Sequence, residues 1–359
     1  MADDSKSNDT KLAFGKPHGS FPETTVEQTA DGAFRRQRNY FPARFGSGPG
    51  RLPVEAGRYR LALSPGCGWG RRQLIALRLL GLTEVVPVDI LTERDDDGWR
   101  FEDRPGGIRQ LTGVERLNDF YRATDPAFAG RGTSPTVIDV KAGRVATNNY
   151  HTLTLDWETA WADFHAAGAP DLYPVELRSE IDLLNQQIFD DINNGTYKVI
   201  FATDLEAARA AKTVFEARLA DFDFRLKSRR YLFGDQLTDS DIRLFITLSS
   251  YEQGYRPGFP PELGPAVLLS DFPHLWGYAR DLFQNGFVDD REAYYLGFQP
   301  GPDGQYLNRR PGPSDDGPSP AERLAQWQSP TDRAALGGSP FYSGPGGGGS
   351  YLLWRFGQD

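Results

Sequence analysis

The run RYRLALSPGCGWGRRQLIALRLLGLTEVVPVDI, residues 58–90, constrains this chain more than any other. Its first piece, 58–64, reads as a short strand leading toward Cys67. The stretch 71–82 places Leu74, Leu77, Leu80 and Leu82 at helical intervals and predicts a helix. The piece 84–90 predicts a second, buried strand. Strand, loop, helix and strand in that order make a compact α/β opening, with the loop presented at the start of the helix. That loop holds Cys67, the single cysteine of the chain.

Around this unit the chain divides by composition. Residues 1–50 are rich in Gly, Pro and charge and predict an extended arm, with AFRRQRNYF as a piece its aromatics can anchor. Residues 51–160 form the first domain. It includes a polar stretch, TERDDDGWRF, expected as a surface loop, a helix over VERLNDFYRATD, and two β-favouring pieces around the AG turn of 134–149. From 171 to 300 the pattern is helical: Leu177, Ile181, Leu184 and Ile188 recur at helical spacing, and Thr238 with Asp241 three positions on predicts a capping box. A further helix is expected over 273–286. The remainder, 301–359, is dense in Gly, Pro and Ser and reads as irregular, with an aromatic end able to dock on the body.

The net charge of −9 gives no support to nucleic-acid binding. One cysteine excludes a disulfide framework within the chain, and four scattered histidines (His18, His151, His165, His274) predict no metal site. No run of 18 apolar residues predicts a membrane span, and the polar start lacks a signal-peptide core, so a cytoplasmic, reducing setting is expected. GCGWGRR carries neither the GxxxxGK[ST] nor the GxGxxG pattern, which excludes a phosphate loop.

A cysteine at a strand-to-helix junction meets the free N–H groups of the helix, which favour thiolate and hence attack on sulfur or an activated carbon. The alternative at this point is a small side chain packed in a bend. With no second cysteine, a CxxC dithiol cycle is excluded, and any redox cycle takes its other thiol from outside the chain.

The pieces GAFRRQRNYF, GRYRLALSPGCGWGRRQLIALRLLGL, DGWRF, FYRATDPAFAGRGTSPTVID, DLYPVELRSEIDLLNQQIFDDINNGTYKVIFA, RYLFGDQLTDSDIRLFITL and FPHLWGYARDLFQ, spanning about 32–300, together resemble the glutathionyl-hydroquinone reductases, the omega-like Xi class of the glutathione transferases. The resemblance implies a thioredoxin-like α/β domain followed by an all-α glutathione-transferase-type domain, and a homodimer. It implies that Cys67 is catalytic. This residue takes the thiol group from a thiol adduct of a quinone-like compound as a mixed disulfide, which a second thiol resolves. The cosubstrate is glutathione or another low-molecular-weight thiol, with no metal.

The residues implied on the thiol side are Trp69, Arg71, Ser134, Pro135, Tyr150 and His151. Trp69 matches the tryptophan of the family's Cys-Pro-Trp-Ala motif, while Gly68 and Gly70 stand where the family has Pro and Ala. Pro135 matches the thioredoxin-fold cis-proline, with Ser134 backbone pairing to the thiol's peptide portion; an ordinary trans proline opening a strand is the alternative. Arg71, where the family usually has histidine, holds a ligand carboxylate or serves as a solvated helix residue. Asn148, Asn149, Tyr150 and His151 replace the family's NNES, whose Glu and Ser hold the γ-glutamyl end of glutathione. A charged hydrogen bond of that kind is worth roughly 1.5–3 kcal/mol, a tenfold affinity change or more. Tyr150 and His151 therefore either recognise a thiol with another head group or fill the pocket. On the acceptor side Tyr255 and Tyr295 are implied as catalytic, and Tyr255, Tyr294 and Tyr295 as substrate-binding through hydroxyl and ring contacts. For each, core packing is the alternative.

Three functions fit: reduction of thiol adducts of aromatic compounds; thiol addition, isomerisation or cleavage on a specialised metabolite; or a noncatalytic binding scaffold.

Overall fold

Strand β1 (Tyr59–Leu63) is buried along its whole length. Its side chains alternate between two apolar clusters, with Tyr59, Leu61 and Leu63 in the larger and Ala62 in the smaller. The computed structural model describes residues 29, 31–36, 39–301, 304 and 318–338. The rest of the expected arm and the aromatic end 351–359 lie outside the described residues.

After β1 come α1 (Gly68–Leu79), β2 (Val88–Asp95), β3 (Gly98–Phe101), α2 (Ile108–Thr112), α3 (Leu117–Thr124), β4 (Thr136–Asp139), β5 (Arg144–Thr147) and α4 (Leu153–Thr159). The sheet runs β3-β2-β1-β4-β5, with β1 parallel to β2 and the other neighbours antiparallel. Helix α1 covers one face of this sheet, and α2 and α3 cover the other. This is the thioredoxin-like domain. TERDDDGWRF, expected as a loop, instead builds the end of β2, a tight turn and β3, with Asp95 opposite Gly98. Its polar side chains sit on the exposed end of an edge hairpin.

The second domain is all-α: α5 (Arg178–Gln187), α6 (Asn194–Phe201), α7 (Leu205–Leu226), α8 (Asp239–Ser250), α9 (Pro273–Leu282) and α10 (Asp290–Tyr295). A π-turn at Ile188–Asn193 joins α5 to α6, and another at Tyr251–Tyr255 follows α8. The expected capping box forms: Asp241 accepts from the Thr238 amide at 2.8 Å, and its other oxygen takes Leu232 N–H and the Tyr278 hydroxyl. Helix α8 is buried on nearly every side and packs directly on α1, which makes it the joint between the domains.

Within the stretch expected to be irregular, Pro320–Gln328 forms helix α11, opened by a Ser319–Glu322 capping box. Trp327 docks it by burying its ring among Phe245, Phe283 and Phe298. The described part of the arm bridges both domains: Arg36 donates to Asn194 at 2.8 Å, Asn39 to Asn149 at 3.0 Å, and Phe41 N–H to Asn148 at 2.8 Å.

Candidate active site

Cys67 is the N-cap of α1, in extended geometry, so its side chain stands at the open end of the helix. Its carbonyl accepts from Gly70 and Arg71 N–H, both at 3.0 Å, which closes the first turn. The Sγ–H donates to the carbonyl of Ser134 at 3.3 Å, and the thiol is partly accessible. Ser134 is tied in return, since its Oγ accepts from Ser64 N–H at 2.9 Å. The Ser134–Pro135 peptide bond is cis. Cys67 therefore sits in a polar notch between two loops rather than sealed in the core.

The two glycines flanking Trp69 are dictated by space. A Cβ on Gly68 would lie 2.8 Å from Ile246 Cγ2, and one on Gly70 would lie 2.8 Å from Leu63 Cβ. Without side chains, the first turn of α1 settles closer to both β1 and α8.

Trp69 is buried, with its ring 4.8 Å from Tyr150 and 5.7 Å from Phe189. The guanidinium of Arg36 lies over Trp69 at 4.9 Å and over Tyr197 at 4.1 Å, a cation held among aromatic faces. Tyr150 stacks in turn on His151 at 4.3 Å. Both carbonyls of this pair are held by arginines: Tyr150 O accepts from Arg72, and His151 O accepts from Arg243 at 3.0 Å. Burial pushes the Tyr150 phenol up to about 12. Burial, reinforced by Arg72, Arg243 and Arg36, pushes the His151 imidazole down to about 4. At neutral pH this corner presents two uncharged rings in the field of three arginines.

Arg71 faces the helical domain. Its Nε contacts Glu292 at 2.5 Å, while Nη1 and Nη2 donate to Ser250 and Ser249 at 3.0 and 3.1 Å. It is neither a solvated helix residue nor on the side of Tyr150. It lines a cavity of about 240 Å3 together with Gly66. Tyr197, Ile200, Phe201, Tyr255 and Leu296 give this cavity aromatic and aliphatic walls, and Ser249, Ser250 and Gln253 add polar groups. Burial holds the Tyr255 phenol well above the ordinary range, helped by a hydrogen bond with Tyr197, so Tyr255 faces the cavity as a neutral hydroxyl. Tyr295 is buried in the main core, the packing alternative raised for it, and burial raises its phenol too. Tyr294 packs at the edge of that core, against Gly301. Leu296, the next residue, is the one that reaches the cavity wall.

Sequence reasoning missed Tyr197, Phe201, Ser249, Ser250 and Gln253. One signal was available: two consecutive serines follow the apolar-rich piece LFITL at the end of α8. Among the described residues no group of three or more His, Cys, Asp or Glu side chains is placed to hold a metal ion. No helix among them is long and apolar enough to cross a membrane.

No family model matches the chain. Individual relatives do. The chain is 36% identical over 285 residues to the glutathionyl-hydroquinone reductase YqjG of Escherichia coli, covering 76% of this chain and 84% of that protein. Among solved structures it resembles a glutathione transferase from Gordonia bronchialis, with TM-score 0.70, 34% identity, and coverage of 85% of this chain and 94% of that one. It also resembles the glutathione-bound structure of YqjG, with TM-score 0.66, 31% identity, and coverage of 85% and 98%.

Proposed function

The chain belongs to the glutathionyl-hydroquinone reductase family, as a divergent Xi-class, omega-like glutathione transferase, and from that premise we propose a reduction of aromatic thiol adducts that runs through Cys67. The Cys67 thiolate attacks the sulfur of a thiol adduct of a hydroquinone-type compound. A Cys67–S–S–thiol bond forms, the sulfur–aryl bond breaks, and its electron pair with one proton leaves as aryl–H. A second thiolate then attacks the mixed disulfide, which releases the disulfide of the thiol and restores Cys67. Overall, the adduct and one free thiol give aryl–H and the disulfide of the thiol: the aryl carbon gains the electron pair of the broken bond, and the adduct sulfur and the free thiol sulfur are oxidised together to the disulfide.

The observation that carries this reading is the position of Cys67, a half-buried residue at the N-cap of α1 with its Sγ 3.3 Å from Ser134 O. The 240 Å3 cavity, whose lining includes Gly66, the residue before Cys67, supplies room for the acceptor. In this reading Tyr255 donates a hydrogen bond to the leaving aromatic system, and the Ser134 backbone pairs with the thiol. The test is Cys67→Ser: reduction of a glutathionyl-hydroquinone stops, while the fold is retained.

YqjG is described in a glutathione-bound structure, and glutathione is the first cosubstrate to try. One observation favours a different head group. The Tyr150–His151 corner offers no carboxylate to an ammonium, and the charges that act on His151 come from Arg72, Arg243 and Arg36. A thiol whose amine is acylated or absent suits this corner better. We place the reaction in a cytoplasmic pool of reduced thiol, in a homodimer, as the family resemblance implies.

A further inference from the structure

One polar stretch of the cavity lining is made by the junction of α8 with the π-turn Tyr251–Tyr255, which brings Ser249, Ser250, Gln253 and Gly254 to the cavity together with Arg71. Ser250 Oγ accepts a hydrogen bond from Arg71 Nη1 at 3.0 Å. Arg71 is itself fixed, with Nε on Glu292 at 2.5 Å and Nη2 on Ser249 at 3.1 Å, and the ion pair is buried. Ser249 turns its own hydroxyl proton back to the carbonyl of Ile246, at 3.3 Å. Ser250 accepts from the same guanidinium, but no hydrogen bond from its hydroxyl to another described residue is formed, so its proton is the group it offers to the half-open side facing the cavity. A hydroxyl that accepts from a guanidinium is a stronger donor than a free one.

We propose that Ser250, polarised by Arg71, is a specificity-determining residue that receives an oxygen atom of the aromatic acceptor. The acceptor is the hydroquinone-type compound of the proposed reaction, and Ser250 is the residue that separates its phenolic oxygen from an aryl hydrocarbon or halide. The size agrees: an apolar cavity of about 150 Å3 admits benzene, and this one is about 240 Å3. The chemistry agrees as well, because breaking the aryl–sulfur bond pushes electron density onto such an oxygen, where a fixed donor is most useful. This assignment rests on the reading of the cavity as the acceptor site.

The experiment is calorimetric titration of the full chain with 2-naphthol and with 2-methylnaphthalene, in wild type, Ser250→Ala, Ser250→Gly and Cys67→Ser. Wild type is expected to bind the naphthol about tenfold more tightly than the hydrocarbon. Both Ser250 variants lose that preference while keeping the hydrocarbon affinity, which also reports that they fold. Equal binding of the two ligands by wild type overturns the proposal, as does a preference that survives in the folded Ser250 variants. Cys67→Ser separates the two claims. If it still turns over adducts, the thiolate mechanism fails, yet the naphthol preference stands or falls on Ser250 alone.

Discussion

Arg71 and Glu292, 221 positions apart, meet at 2.5 Å in a buried ion pair that joins the first turn of α1 to α10. The contact ties the loop that carries Cys67 to the helix whose C-cap, Leu296, lines the cavity, alongside the Arg78–Asp289 ion pair at 2.9 Å. Removing one member of a buried pair strands the other charge and costs about 3–5 kcal/mol. Glu292→Ala is therefore expected to lower unfolding free energy by about that much in urea titration. An Arg71→Met/Glu292→Leu double variant recovers most of the loss. An unchanged midpoint in Glu292→Ala would show that the pair contributes nothing to the joint.

The glycines around Trp69 give a second test. Gly70→Ala places a methyl group 2.8 Å from Leu63 Cβ, in the buried angle between α1 and β1. Overpacking of this kind costs about 1–3 kcal/mol. Gly68→Pro meets Ile246 Cγ2 in the same way, so it is tolerated better when combined with Ile246→Ala. Thermal melts of the two single variants and the double variant check this; additive losses for Gly68→Pro and Ile246→Ala would contradict it.

His151 makes acid stability pH-dependent. In the unfolded chain its imidazole takes a proton near 6.5, whereas in the fold it resists until about 4. The unfolded state binds more protons across that window, so this residue withdraws stability as the pH falls from about 6.5 to about 4. Asp241, raised to about 6 by burial, acts in the opposite direction, since the folded state holds its proton longer. His151→Gln therefore yields a chain whose stability relative to wild type rises as the pH falls through this window, measured by denaturant midpoints at pH 7, 5.5 and 4.5. A constant difference across the three would refute the assignment.

How much of this was legible in the sequence depended on range. The capping box of Thr238 and Asp241 spans three positions, and its logic is local, so it was readable. The strand–loop–helix around Cys67 was readable for the same reason. Hairpin β2–β3 was obscured because its acidic tip resembles a loop, although the Asp97-Gly98 pair is itself a hairpin signal and Gly98 takes a positive φ of 100°. Helix α11 was hidden in Gly- and Pro-rich surroundings, even though Ser319-Pro320 and Glu322 carry the signs of a helix start. Contacts between distant segments were not readable at all. Nothing near position 71 announces Glu292 or Ser250, and Tyr294 and Tyr295 look alike until packing sends one into the core.

The Tyr150–His151 corner predicts a change of cosubstrate preference. Restoring an acid with Tyr150→Glu/His151→Ser supplies a partner for the ammonium of glutathione. Affinity for glutathione is expected to rise about tenfold, the worth of one charged hydrogen bond. Affinity for N-acetylcysteine, which lacks that ammonium, is expected to fall or stay level. Isothermal titration with both thiols checks it; equal gains for the two would mean that head-group charge is not what this corner senses.

The claim on which the whole account turns is that the thiol group passes through Cys67. It is tested most directly by mixing the intact protein with one equivalent of a glutathionyl-hydroquinone in the absence of free thiol and weighing the protein by mass spectrometry. The account predicts one glutathionyl group on Cys67 for each hydroquinone released, removed when glutathione is added, and no adduct or release in Cys67→Ser. Hydroquinone release by Cys67→Ser at the wild-type rate would contradict it.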